Sequence, residues 1–105
     1  MNIDEKKILE FCDWFYDDTG GMWGHKDGKS YAVFAECFNG KPPNIYSLDW
    51  QKEYLWGKIE HRGMFMFWDG GLWCCDLEQE IYKEYHKDLA TAILKAVMEL
   101  IEDRK

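Results

Sequence analysis

Between Leu89 and Ile101, the residues Leu89, Ala92, Ile93, Ala96, Val97, Leu100 and Ile101 recur at steps of three and four without a break. That period places them on one face of an α-helix, and a face so wide is stable only when another apolar surface covers it. The sequence supplies a cover just upstream. Residues 64–68 and 72–76 are short apolar and aromatic runs joined by Asp69-Gly70-Gly71, which provides the positive φ angles of a tight hairpin. A long terminal helix lying on an antiparallel hairpin belongs to the α+β class. Ile81, Tyr82 and Tyr85 carry the helical spacing further upstream and predict a helix over residues 78–103, unless Asp88 caps a separate helix that begins at Leu89.

The rest of the chain completes that architecture. Asn2 as a cap with Glu5 three residues on, followed by Ile8, Phe11, Cys12, Phe15 and Tyr16, predicts a helix over residues 3–17. Residues 18–29 hold four glycines and no sustained period, so they read as a loop. Tyr31, Val33, Ala35 and Cys37 alternate with Ala32, Phe34, Glu36 and Phe38, a strand over residues 31–38 that Asn39-Gly40 and Pro42-Pro43 stop. Residues 44–62 carry mixed signals: Ser47 and Asp49 suit a helix start, whereas Gly57 and Tyr54-Leu55-Trp56 suit a strand. A helix is the expectation there. The predicted fold is one α+β domain over residues 1–105, a small antiparallel sheet covered by the N-terminal and C-terminal helices.

At 105 residues such a domain buries roughly 65% of its unfolded surface and needs no disulfide staples. Twenty acidic residues against thirteen basic ones give a net charge of -7, while the 47% hydrophobic content is far above that of a disordered acidic chain. The charge therefore sits on a folded surface, where it opposes binding to phosphate backbones and anionic membranes. Direct nucleic-acid binding is disfavoured on that ground. Cys12, Cys37, Cys74 and Cys75 form no CxxC pair, and the neighbours Cys74 and Cys75 point to opposite faces of a strand, so buried free thiols are expected. The charged start Asp4-Glu5-Lys6-Lys7 and the absence of any run near the ~20 apolar residues of a membrane span lead to the expectation of a cytoplasmic, reduced protein.

No motif names a reaction. Gly24-His25-Lys26-Asp27-Gly28-Lys29-Ser30 resembles a phosphate loop, but Trp23 stands where the first glycine is needed, and a helix precedes the segment where a strand should. His25, His61 and His86 show no metal-ligand spacing, and the many carboxylates include no pair that the sequence singles out for acid–base work. The expectation is a non-enzymatic protein with no metal or cofactor.

Two acidic rows suggest binding instead. On a helix over residues 78–103, Glu80, Glu84 and Asp88 lie at steps of four, and with Asp76 and Glu78 close upstream one rim presents five carboxylates. Glu10, Asp13 and Asp17 make a second row. Such rows imitate the phosphates of a nucleic acid and suit a basic groove on a partner, whereas the plainer reading is a solvated face, with Lys83 and Lys87 interleaved. Trp14, Trp23, Trp50, Trp56, Trp68 and Trp73 are too many for a small core to hide. Trp23 is the expected exposed anchor, with Trp68 and Trp73 next. An alternative use of the same loop is a nucleotide-signal site in which Trp23 stacks a base and Lys26 and Lys29 hold a phosphate.

The order Tyr46-Ser47-x-Asp49, an amphipathic stretch, Trp68-Asp69-Gly70 with Trp73-Cys74, and Ala90-x-Ala92-Ile93-Leu94-x-Ala96 resembles small phage proteins of the ABA-sandwich type. The resemblance covers little more than half the chain and implies a phage or prophage origin and a small α/β sandwich; it transfers no functional residue. Taken with the acidic rows, the expected function is that of an inhibitor, of anti-CRISPR or immunity type, that blocks a basic surface on a nuclease or nucleic-acid-binding effector. A homo-oligomer is also open, through the aromatic side chains.

Overall fold

The computed structural model of the chain describes residues 2–17, 22–27 and 42–103 and has the expected α+β class, with helices flanking small antiparallel sheets. Asp4 opens the first helix, its carboxylate accepting from the Lys7 N–H at 3.3 Å, and α1 (Glu5–Phe11) buries Ile8 and Leu9. The helix is shorter than its spacing predicts, and Asp4 rather than Asn2 caps it. Asp13 takes a φ of 67°, a left-handed conformation that ends the helix and that aspartate tolerates better than most residues. The aromatic run beyond it forms β1 (Trp14–Asp17), paired antiparallel with β2 (Met22–His25) so that Trp14 faces His25 and Tyr16 faces Trp23. A strand thus stands inside the segment expected to be loop. The strand predicted over residues 31–38 lies outside the described residues.

The helix expected within residues 44–62 forms from residue 48 onward. The Ser47 hydroxyl accepts from the Trp50 N–H at 3.3 Å to start α2 (Leu48–Tyr54), and after a break at Leu55 come α3 (Trp56–Ile59) and a 3-10 turn (Glu60–Arg62) closed by Gly63 at φ 73°. Gln51 is fully buried in α2; its amide donates to the Ile45 carbonyl at 2.9 Å and to the Ala90 carbonyl at 3.1 Å. One side chain therefore fastens α2 both to the segment before it and to the start of the last helix.

The hairpin forms where expected. Gly70 and Gly71, at φ 59° and 91°, join β3 (Phe65–Asp69) to β4 (Leu72–Leu77), with Asp69 opposite Leu72 and Phe67 opposite Cys74. The helix predicted over residues 78–103 does not begin at 78. Glu78, Gln79 and Glu80 all take positive φ, of 55°, 54° and 74°, and turn the chain into β5 (Tyr82–His86), which completes the order β3-β4-β5. The Asp76 carboxylate holds that turn by accepting the Glu80 N–H at 2.6 Å. Only then does α4 (Leu89–Asp103) start, capped by Asp88, which accepts from the Thr91 N–H at 3.0 Å and the Thr91 hydroxyl at 2.7 Å.

Cross-strand partners share a face, so the register gives the sheet two different sides. Met66, Trp73, Cys75, Leu77 and Tyr82 belong to the inner side and join one apolar cluster with Ile93, Val97 and Leu100 of α4; Ile8 and Leu9 of α1 belong to the same cluster. Each fully buried leucine, isoleucine or valine among them contributes about 1.5–3 kcal/mol by leaving water. Gly57 is helical, with no atom within 4 Å of where a Cβ would stand, whereas Gly71 needs its left-handed φ. In urea denaturation Gly57→Ala is expected to stabilise by ~0.5–1 kcal/mol and Gly71→Ala to destabilise by about as much. Asp88→Ala should cost ~1 kcal/mol through loss of the cap.

Candidate functional site

The acidic rim does not exist as one helix face. Asp76 is 6% exposed on β4 and spends its carboxylate on the Glu80 amide; Glu78 is paired with Arg62; Glu80 stands at the strained turn with its carboxylate 3.4 Å from the Lys83 ammonium. Glu84 is on β5, and Asp88 is the cap of α4. The second row is dispersed in the same way: Glu10 ends α1, Asp13 pairs with Lys58 and stands 3.9 Å from Lys26, and Asp17 ends β1. The Lys58 ammonium beside Asp13 holds that carboxyl below its ordinary value. Helical spacing was the source of both rows, and neither segment is helical throughout.

Trp23 is a correction too. It is 9% exposed, with its ring 5.5 Å from that of Tyr16 across the β1–β2 pair, so the ring that was expected to anchor a partner or stack a base packs into the core. Lys26, the second residue of the nucleotide reading, faces Asp13, and Lys29 lies outside the described residues. A cleft of about 410 Å³ does open beside this strand pair, between Asp13, His25, Asp27, Tyr54 and Lys58. Asp13 and Lys58 pair with each other there, and His25 is held by its neighbours. His25 Nε2–H donates to the Cys12 carbonyl at 2.9 Å and Nδ1 accepts the Asp27 N–H at 3.1 Å, while the ring packs edge-on to Trp14 and tilted against Tyr54, with centroids 5.4 and 5.1 Å away.

What the fold leaves unsatisfied is the outer side of the three-stranded sheet. Phe67, Cys74 and Tyr85 form one cross-strand row and Phe65, Asp76 and Lys83 the next. Phe65 is 65% exposed, Phe67 38% and Tyr85 40%. The Lys83 ammonium lies 5.9 Å from both the Phe67 and Tyr85 ring centroids, a cation–π arrangement. At the hairpin end Trp68 is exposed, as expected for it, with its ring 5.4 Å from that of the half-buried Trp73. Phe65, Phe67 and Tyr85 were not among the expected binding residues. The signal for them was the hairpin itself: both alternating sets of β3 are apolar, so whichever side meets the core, the other is apolar as well.

At the start of β5 the exposed Ile81 and the buried Tyr82, with Glu99, Glu102 and Asp103 of α4, line a shallow groove of about 440 Å³. The Tyr82 hydroxyl donates to Asp103 at 2.5 Å, and that carboxylate pushes the phenol up to about 12. Lys7 reaches Glu102 at 2.6 Å. Burial and a hydrogen bond with the Glu84 carboxyl raise Glu99 to about 7, since two carboxyls in contact share a proton more readily than they both ionise.

The described cysteines, Cys12, Cys74 and Cys75, are buried free thiols, and burial pushes Cys12 and Cys75 up to about 12. Among the described residues no three His, Cys, Asp or Glu side chains are grouped to hold a metal, and no helix is long and apolar enough to cross a membrane. Comparison with protein-family models, with curated proteins and with solved structures finds no match for this chain.

Between the ordinary carboxyl range and pH 7 the folded protein holds a proton at Glu99 that the unfolded chain releases, so this contribution to stability is full at low pH and is lost as pH rises through about 7. Glu99→Gln should therefore gain on the wild type in urea denaturation as pH goes from 5 to 8; parallel stability curves would show that Glu99 titrates alike in both states.

Proposed function

We propose that the protein is a non-enzymatic binding protein that docks on a basic surface of another protein through the outer side of its three-stranded sheet. The observation that carries this is Phe65, Phe67 and Tyr85 lying exposed together on one sheet face, with Ile81 exposed beyond them. Aromatic side chains contribute most to binding where they are rigidly held, and β-strands hold these. A net charge of -7 draws a cationic partner and repels an anionic one. Carboxylates stand at the ends of this face, Asp69 at the hairpin and Glu80 at the turn before β5, while Lys83 lies between the Phe67 and Tyr85 rings.

In its most specific form the partner is a nuclease or nucleic-acid-binding effector whose basic groove the protein obstructs, as an anti-CRISPR or immunity protein does, and the source is a phage or prophage. Loss of the partner's nucleic-acid access follows from occupancy alone. Tagged protein incubated with bacterial lysate should retain a basic protein at low salt and release it at high salt, and Phe65→Ser with Tyr85→Ser should cut retention at least about tenfold with unchanged circular dichroism. Equal retention by the folded double variant would remove the sheet face from the account.

A further inference from the structure

The two edges of the three-stranded sheet are built differently. β5, at one edge, carries Lys83 and Glu84 at its middle, charged side chains of the kind that keep an exposed strand from pairing. β3, at the other, reads Phe65-Met66-Phe67-Trp68 before its first charge at Asp69, with no proline and an unbroken five-residue register to β4. Among the described residues no strand lies beyond it. It also shows apolar rings to solvent on both sides of the sheet, Phe65 and Phe67 outward and Trp68 on the helix side. A strand that only capped a sheet needs neither.

We infer that β3 is a homodimerisation edge: two copies pair their β3 strands antiparallel about a two-fold axis at Phe67, giving one six-stranded sheet. In that register Phe67 faces its own copy, Met66 faces Trp68, and Phe65 faces Asp69. The central pairs are all apolar, and the two Asp69 carboxylates fall at opposite ends of the strand pair, so no like charges meet. The charge pattern favours a second copy over a basic peptide, because Asp69 is the only acid on the strand and the four residues before it carry no carboxylate for a cation. The symmetry is isologous and closed, so association stops at two.

Phe65, Phe67 and Trp68 are 65%, 38% and 57% exposed, which at ~200 Å² per aromatic side chain leaves roughly 300 Å² of ring surface on β3 in each copy. A standard interface takes about 800 Å² per partner. The dimer is accordingly weak and concentration-dependent. Each copy carries -7, so screening by salt strengthens self-association, the opposite of its effect on a complex with a basic partner.

Sedimentation equilibrium of the full chain between about 1 μM and 1 mM should pass from monomer to dimer, at lower concentration when salt is raised. Phe67→Lys places two ammonium groups face to face and should weaken the dimer at least about tenfold, Phe67→Glu likewise, and an equimolar mixture of the two should dimerise again through a Lys–Glu pair. If either variant loses its circular dichroism, wild-type amide exchange decides: protection at residues 66–68 rises with concentration when the edge is paired. Wild type that stays monomeric throughout, a dimer indifferent to both substitutions, a mixture that does not recover, or exchange at 66–68 independent of concentration overturns the assignment. A monomer that retains a basic protein would leave the docking face standing and the dimer edge refuted.

Discussion

Helix α4 is buried on two sides at once, and the other elements take their places from that constraint. Ala92, Ile93, Leu94, Ala96 and Val97 have no solvent exposure, so the helix meets both the inner side of the sheet and α1. Ala90, Ala92 and Ala96 keep its surface close to its neighbours, and interiors packed to crystal density leave little room for adjustment. Gln51 adds a directional tie: its two hydrogen bonds fix α2 against the first turn of α4. Only the amide nitrogen of Gln51 is satisfied in this way, its buried Oε1 having no partner among the described residues, so the side chain specifies a position more than it adds stability.

The turn at Glu78, Gln79 and Glu80 follows from the same constraint. The inner side of the sheet must face α4, and β5 must return beside β4 without glycine to help it. Left-handed residues with side chains cost roughly 1 kcal/mol or more each, and here three occur in succession. The Asp76 carboxylate on the Glu80 amide, the Glu78 amide on the Arg62 carbonyl at 2.9 Å and the Arg62–Glu78 pair offset that cost. These acids are consumed in shaping the chain. Their use in the turn, with Asp76 buried and Glu78 paired to Arg62, is why an acidic composition does not become an acidic row here.

What could be read in the sequence follows the range of the forces involved. Local signals were sufficient for the Gly70-Gly71 hairpin, for the helix beginning at Ser47 and for the face of α4, because turn chemistry, capping and an unbroken period act within a few residues. They misled at residues 78–88, where Tyr82 and Tyr85 fit a helical step yet belong to a strand, and at residues 12–17, where Asp13 reverses the chain inside an apparent period. The run Trp14-Phe15-Tyr16 carried a strand preference that could have been weighed against that period. No local signal marked the turn at 78–80: it contains neither glycine, proline nor asparagine, and Arg62 and Asp76 are what hold it. Trp23 is buried because β1 and β2 pair, and no property of its own neighbours foretells that.

The account rests on a sheet with one side covered by α4 and the other exposing Phe65, Phe67 and Tyr85. Hydroxyl-radical footprinting of dilute protein, read by mass spectrometry, measures that difference at individual side chains. Phe65, Trp68 and Tyr85 should be modified several-fold faster than the buried Trp14, Trp23 and Tyr82, after allowance for the intrinsic reactivity of each ring. Protection of Phe65 and Tyr85 equal to that of Trp14 and Tyr82 would mean that the outer side is covered within one chain, and neither the docking face nor the dimer edge would survive it.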